Sequence, residues 1–107
     1  MILFEVYSYD GRRVRLTRTQ WLHIAVFHPE VAGEEDKIKR TVRDPDVVLA
    51  GATEDTRVYY RFYRDTPVSP KYLAVVVKIL DEEGFIITSY FTERVRKGRI
   101  IWRGTSL

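Results

Sequence analysis

Two histidines are the side chains of this 107-residue chain best suited to move a proton at neutral pH. Imidazole changes its charge at about pH 6.5, so His23 and His28 can each act as a general acid or base. On a regular helix the two rings point about 140° apart, and Pro29 favours a helix end at His28. His23 is therefore the catalytic candidate, with a surface or hydrogen-bonded core histidine as the alternative. Because the histidine spacing differs from that of zinc proteases, we expect no metal site.

One predicted strand, residues 56–64, alternates arginine with tyrosine. Successive side chains of a strand point to opposite faces, so Arg57, Tyr59, Arg61 and Tyr63 should share one face. Guanidinium groups between aromatic rings suit RNA phosphates and unstacked bases. The same pattern is typical of ion pairs and cation–π contacts on a solvated sheet face, and the sequence leaves both interpretations open.

Neighbouring predicted strands add Lys78, Thr88 and Tyr90 on one set of alternating positions. If these side chains share a face with Arg61 and Tyr63, that face carries cations, hydroxyls and phenols together. Strand register decides the question, and sequence alone does not determine it.

Several kinds of chemistry are excluded by what the chain lacks. Without cysteine it has no disulfide scaffold, thiol nucleophile or cysteine-bound zinc. It has no glycine-rich phosphate loop, and Asp44 and Asp46 flank a proline in a pattern typical of a turn. No cofactor is expected. Histidine, arginine, lysine, tyrosine and threonine remain, a set that can cleave RNA without metal because RNA supplies its own 2′-hydroxyl nucleophile.

In such a reaction each candidate has a role. His23 moves the proton, Arg61 or Lys78 holds the phosphate, and Thr88 and Tyr90 donate hydrogen bonds to its oxygens. Arg57, Tyr59, Tyr63, Lys78, Arg96 and Lys97 are the candidate RNA-binding residues.

The elements that must position these residues follow from hydrophobic periodicity, caps and turns. An N-terminal hairpin turns at Asp10–Gly11, the dipeptide that favours a two-residue primed turn. The first helix, capped by Thr17 or Thr19 with Thr17-Arg-Thr-Gln20 as a candidate capping box, should end near Phe27 and bury Trp21, Leu22, Ala25 and Val26. A second, more exposed helix over residues 33–43 has Ile38 and Val42 on one face, acids in its first turn and basic residues in its last. The predicted strands cover residues 2–9, 12–16, 47–50, 56–64, 71–80, 85–92 and 99–103. The sequence therefore predicts one α+β domain, with the hairpin and two helices packed on one face of an antiparallel four- to five-stranded sheet.

The net charge of +3 averages over separated patches. Residues 12–18 and 94–103 are rich in arginine, whereas acidic residues cluster at 30–36 and 81–83. The chain has no asparagine, one glutamine and one methionine, a composition typical of a thermophile's cytoplasmic protein. We expect neither a membrane span, because no apolar run is long enough, nor a signal peptide.

A set of short motifs resembles the phage-associated nuclease-fold domains of the barnase–EndoU–colicin–RelE superfamily. The motifs run in order from Trp21-Leu-His-Ile-Ala-Val-Phe-His-Pro-Glu30 through Asp44-Pro-Asp46, Tyr59-Tyr60 and Ile86-Ile-Thr-Ser-Tyr90 to Lys97-Gly98 and Ile101-Trp102. The similarity covers about residues 20–103. It implies helices on a four-stranded antiparallel sheet and metal-independent ribonuclease activity, with His23, Thr88, Tyr90 and a basic residue in the site. Ser89 departs from the smaller residue expected there, and an inhibitor protein is the partner that the resemblance implies.

Three hypotheses follow. The first is a toxin-like endoribonuclease. The second is a non-catalytic module that binds RNA or a protein through the same charges. The third is an oligomerisation protein whose tyrosine and arginine face is an interface.

Overall fold

A computed structural model describes residues 1–67 and 69–104 of the protein. Its strands are β1 (Ile2–Tyr7), β2 (Arg13–Thr17), β3 (Val47–Ala50), β4 (Thr56–Tyr63), β5 (Lys71–Leu80), β6 (Glu83–Thr92) and β7 (Ile100–Arg103). Its helices are α1 (Arg18–Phe27) and α2 (Glu35–Arg43), separated by a 3₁₀ turn at Pro29–Val31. The predicted α+β class is confirmed, and no helix within the described ranges is long and apolar enough to cross a membrane.

All seven strands join one mixed sheet in the order β1-β2-β6-β5-β4-β3-β7. The predicted number of strands in the sheet, four to five, was too small, because the hairpin and the last strand extend the sheet at its two ends. The hairpin joins through β2, which runs parallel to β6 from Arg13 opposite Glu83 to Arg15 opposite Phe85. The Arg13 guanidinium donates to the Glu83 carboxylate at 2.6 Å across this junction. That ion pair lowers the pKa of Glu83 below its usual value.

The turn between β1 and β2 differs from the predicted two-residue type. Only Gly11 of the Asp10–Gly11 pair has a positive φ, at 83°, whereas a type I′ turn requires positive φ at both positions. The Ser8 N–H donates to the Arg12 carbonyl at 2.8 Å, so the loop spans more residues than predicted.

Both helices contribute to one core on the same side of the sheet. From α2 this core receives Ile38 and Val42, the two positions that its spacing predicts. From α1 it receives Ile24, with Trp21 packed beside it.

The predicted buried face of α1 was partly wrong, because Leu22 and Val26 are 61% and 75% exposed. This helix is apolar around most of its circumference, so hydrophobic periodicity does not single out the side that the sheet covers.

We call the helix-covered side of the sheet the inner face and the other side the outer face. On β5 the inner face carries Leu73, Val75 and Val77, which all belong to the main core. The outer face has a smaller cluster of Val47, Leu49, Tyr60 and Ala74. Val95 packs against that cluster from the connection between β6 and β7, so this connection crosses the outer face.

Candidate functional site

The arginine and tyrosine positions of β4 lie on the inner face. Arg61 stands opposite Leu73 and Tyr59 opposite Val75 in the ladder with β5. Tyr59 is 0% and Tyr63 is 6% exposed, so neither ring is open to stack on a base. Both are core residues, which corrects their expected place on an open RNA-binding face.

The hydroxyls of these two tyrosines are bound inside the protein. Tyr59 and Ser8 share a hydrogen bond of 2.8 Å, and Tyr63 donates to the Lys37 carbonyl at 3.0 Å. Burial raises the pKa of Tyr59 to about 12, although the Ser8 hydrogen bond opposes the shift. Burial raises the pKa of Tyr63 as well.

The two arginines of the same face are already paired with acids. Arg57 lies 3.5 Å from the Asp10 carboxylate, and Arg61 lies 3.2 Å from that of Asp44. Arg61 also donates to the Asp44 backbone carbonyl at 2.7 Å. The aspartates at the turn after α2 thus hold Arg61 against the fold rather than leaving it free for a phosphate.

Thr88 and Tyr90 lie on the other face of the sheet from Arg61. In the β5–β6 ladder Thr88 stands opposite Val76 and Tyr90 opposite Ala74, both outer-face positions. Lys78 shares this face and lies 3.8 Å from the Asp55 carboxylate. The structure therefore brings Lys78, Thr88 and Tyr90 to one face and leaves Arg61 and Tyr63 out of that group.

A groove between α1 and β6 brings the two histidines together. We name this cavity of about 340 Å³ the histidine groove. It is lined by Gln20, His23, Ile24, Phe27, His28, Ile87 and Thr88. None of these side chains is a lysine or an arginine.

The groove exists because β2 covers only the first part of β6. Beyond the β2–β6 ladder, α1 takes the place of a strand beside β6. Thr17 caps α1 by accepting from the Gln20 N–H at 3.1 Å, and the Gln20 side-chain amide donates to the Ile87 carbonyl at 2.6 Å. Gln20 therefore anchors the helix to the strand instead of completing the predicted capping box.

His28 reaches the groove because it has left the helix. Its φ and ψ are −133° and 70°, while its N–H still donates to the Ile24 carbonyl. The 140° separation expected on a continuous helix therefore does not apply to His23 and His28. Pro29 explains the change, because a residue before proline avoids helical dihedrals.

The surroundings of the two imidazoles differ. His23 is exposed and its ring lies 4.8 Å from that of Phe27, between centroids. His28 is half-buried, with Nδ1 3.7 Å from the Glu30 carboxylate and its ring centroid 5.5 Å from that of Tyr90. An acidic partner and an aromatic contact thus orient His28, whereas His23 is open to solvent.

Tyr90 connects this groove with the centre of the outer face. It packs against the cluster that contains Tyr60, whose pKa is raised mainly by burial. A contact with Tyr90 raises the Tyr60 pKa further, and the backbone N–H of Arg96 lowers it. Ser89, next to Tyr90, is fully buried on the inner face and donates to the Ala74 carbonyl at 2.9 Å. Ser89 stands where the resemblance implies a smaller residue, and its hydroxyl has a hydrogen-bond partner inside the fold.

Five exposed cations follow Tyr90 along the chain, and we call them the basic strip. They are Arg94, Arg96, Lys97, Arg99 and Arg103. Within residues 1–67 and 69–104, none of them lies within 4 Å of an acidic group. The nearby Glu93 contacts Lys71 instead, at 3.4 Å. The strip is therefore a source of uncompensated positive charge beside the outer face.

Other cavities and clusters offer less chemistry. A cavity of about 440 Å³ lies at the β1–β2 turn, but Arg13 in its wall is already bound to Glu83. No three His, Cys, Asp or Glu side chains in the described part of the chain are grouped to hold a metal ion.

Comparison with known proteins does not assign the chain to a family. No family model matches it, and no curated protein or solved structure shows significant similarity to it. The groove must therefore be interpreted from its own geometry. Sequence reasoning missed His28 and Gln20 as groove residues, although Pro29 already indicated that His28 leaves the helix.

Proposed function

We propose that this protein is a metal-independent endoribonuclease whose reaction takes place in the histidine groove. The observation that carries the proposal is the meeting of His23 and His28 with the Thr88 hydroxyl in one open cavity. Two imidazoles and a hydroxyl supply a base, an acid and a hydrogen-bond donor without a metal ion.

The reaction would be an internal transesterification. One imidazole accepts the proton of the ribose 2′-hydroxyl as its oxygen forms a bond to phosphorus. The bond from phosphorus to the 5′-oxygen breaks, and the second imidazole protonates that leaving oxygen. The products are a 2′,3′-cyclic phosphate and a free 5′-hydroxyl. Thr88 and Tyr90 donate hydrogen bonds to the phosphate oxygens during the transfer.

The role first expected of Arg61 passes to other residues in this proposal. Because Asp44 holds Arg61 on the inner face, the positive charge that attracts RNA comes from the basic strip. Tyr90 contacts His28, and Tyr90 and the Arg96 backbone both lie against Tyr60, so RNA held by Arg96 and Lys97 would approach the groove along the outer face.

A cleavage assay in EDTA tests the proposal. We expect the purified protein to cut RNA and to leave 2′,3′-cyclic phosphate ends. His23→Ala and His28→Ala should each lower kcat by about 100-fold or more, because each removes one partner of the proton transfer. Thr19→Ala, on an exposed position of α1 outside the groove, is the matched control and should keep full activity. Full activity in both histidine variants would exclude the groove as the site.

The second candidate is an RNA-binding module without catalysis. It is favoured by the uncompensated charge of the basic strip and by the absence of any lysine or arginine among the groove-lining side chains of the described residues. Salt-sensitive RNA binding by a protein that releases no cyclic phosphate would support this candidate and exclude the nuclease.

A further inference from the structure

A third cavity, of about 320 Å³, lies on the outer face beneath the connection that carries Val95 and Gly98. We name it the strip cleft. Its floor consists of the buried side chains of Val47 and Leu49, and Tyr72 and Val95 add further apolar surface. The Tyr72 ring is fixed by edge contacts with Tyr60 and Phe62, at centroid distances of 6.5 Å and 5.2 Å. The cleft thus offers a firm apolar surface at the level of the sheet.

Three cations of the basic strip also line this cleft, namely Arg96, Lys97 and Arg103. Arg103 stands opposite Val47 in the β3–β7 ladder, and paired residues point to the same face. The acidic side chain in the lining, Asp46, accepts from the Phe62 N–H at 2.8 Å through Oδ2, and its Oδ1 lies 4.0 Å from the Arg61 guanidinium on the other side of the sheet. Three cations line the cleft with this one carboxylate, so the lining carries a net positive charge.

We propose that the strip cleft binds one nucleotide of an RNA strand, away from the histidine groove. The base would lie against Leu49 and Tyr72, and its phosphate would meet Arg96 and Arg103. An apolar side chain of a protein would leave the cations unpaired, and inorganic phosphate would leave the apolar floor uncovered. A nucleotide covers the apolar floor with its base and pairs with the cations through its phosphate, and its size suits a cavity of this volume. This inference rests on the proposed function, because it assigns part of the same RNA substrate to a second site.

Methyl NMR tests the cleft without any measurement of activity. The probes are uridine monophosphate, inorganic phosphate, and a tetranucleotide with 2′-O-methyl groups that cannot be cleaved. The ring current of a bound base should move the methyl signals of Val47, Leu49 and Val95 upfield with both nucleotide probes, and phosphate should not. Absence of these shifts, or the same shifts with phosphate alone, would overturn the proposal. Equal affinity for the monophosphate and the tetranucleotide would overturn the assignment to an RNA strand.

Variants of matched charge sharpen this experiment. Arg103→Ala should weaken tetranucleotide binding by about fivefold to tenfold, because it removes one charge-assisted phosphate contact. Arg43→Ala, on the exposed surface of α2, removes the same charge and should leave the affinity unchanged. Equal losses in the two variants would show that the cleft contributes no specific contact. The methyl spectrum of each variant reports whether it is folded.

The cleft and the ribonuclease can fail separately. If the protein does not cleave RNA but the methyl signals still shift, the groove proposal is wrong and the cleft stands. If RNA is cleaved and the methyl signals do not move, the cleft proposal alone is wrong.

Discussion

Strand β4 and the surroundings of the basic strip use arginine and tyrosine in opposite ways. On the inner face Arg57 and Arg61 meet aspartates, and the hydroxyls of Tyr59 and Tyr63 have partners inside the fold. Buried hydroxyls that have hydrogen-bond partners hold one packing arrangement in place. These residues stabilise the domain and are not available to a ligand.

Around the basic strip on the outer face, arginines lack acidic partners and tyrosine rings remain partly open. Arg96 and Lys97 have no acidic neighbour within 4 Å in the described part of the chain, and the rings of Tyr72 and Tyr90 are only half-buried. Surface cations without partners attract polyanions, and partly open rings can stack on bases. Alternation along β4 therefore says little about function. The presence or absence of an acid beside each arginine separates the arginines of β4 from those of the basic strip.

Tyr59→Ala should have the largest effect on stability of any change that tests this comparison. We expect unfolding to become about 3–5 kcal/mol easier, because a fully buried aromatic ring is lost from the inner face. Urea denaturation followed by circular dichroism measures the change. Tyr72→Ala on the outer face is the control and should cost clearly less, since that ring is only half-buried. Equal losses would remove the distinction between the faces.

Much of the fold was predictable from local signals. The N-terminal hairpin, the two helices and the later strands lie close to their expected ranges. For α2 the spacing of Ile38 and Val42, with acids in the first turn and arginines in the last, indicated both its bounds and its buried side.

Features that depend on distant partners were not predictable in the same way. The parallel pairing of β2 with β6 joins residues about 70 positions apart, and no local pattern records it. The burial of Tyr59 and Tyr63 depends on which face the helices cover, which alternation leaves open. The 140° separation of His28 from His23 holds only for helical dihedrals at His28, and Pro29 prevents these.

Alkaline pH should lower the free energy of unfolding because Tyr59 on the inner face resists ionisation in the folded protein. Its pKa of about 12 in the folded protein lies above the value of about 10 expected when unfolded. The stability that this group contributes is complete below about pH 10 and is lost as the pH rises to about 12, because the unfolded state releases its proton first. The full difference corresponds to about 2–3 kcal/mol.

Urea denaturation at several pH values between neutral and strongly alkaline measures this loss. Tyr59→Phe is the matched control, because it keeps the ring and removes the ionisable hydroxyl. Its stability should fall less steeply over the same range. Burial also raises the pKa values of Tyr9, Tyr60 and Tyr63, and the hydrogen bond to Glu34 raises that of Lys37. These groups act in the same direction and contribute to the slope that remains. Parallel slopes in the two proteins would show that Tyr59 is not protected by burial.

Neutralising the basic strip should have a smaller effect, and it should change RNA binding rather than stability. Arg96→Gln combined with Lys97→Gln should weaken RNA binding by about tenfold and lower the slope of log affinity against log salt by about 1.4, if each side chain meets one phosphate of a single strand. The double variant of Arg40 and Arg43 to Gln removes equal charge from α2, which packs on the inner face, and should change neither quantity.

Fluorescence anisotropy over a series of salt concentrations measures both quantities. A general attraction to net charge predicts the same loss in the two double variants, since they differ only in where the charge lies. A loss of RNA affinity confined to the Arg96 and Lys97 variant requires RNA to lie on the outer face, where Tyr90 contacts His28. The location of the unpaired charge, rather than its total, would then determine where RNA binds this domain.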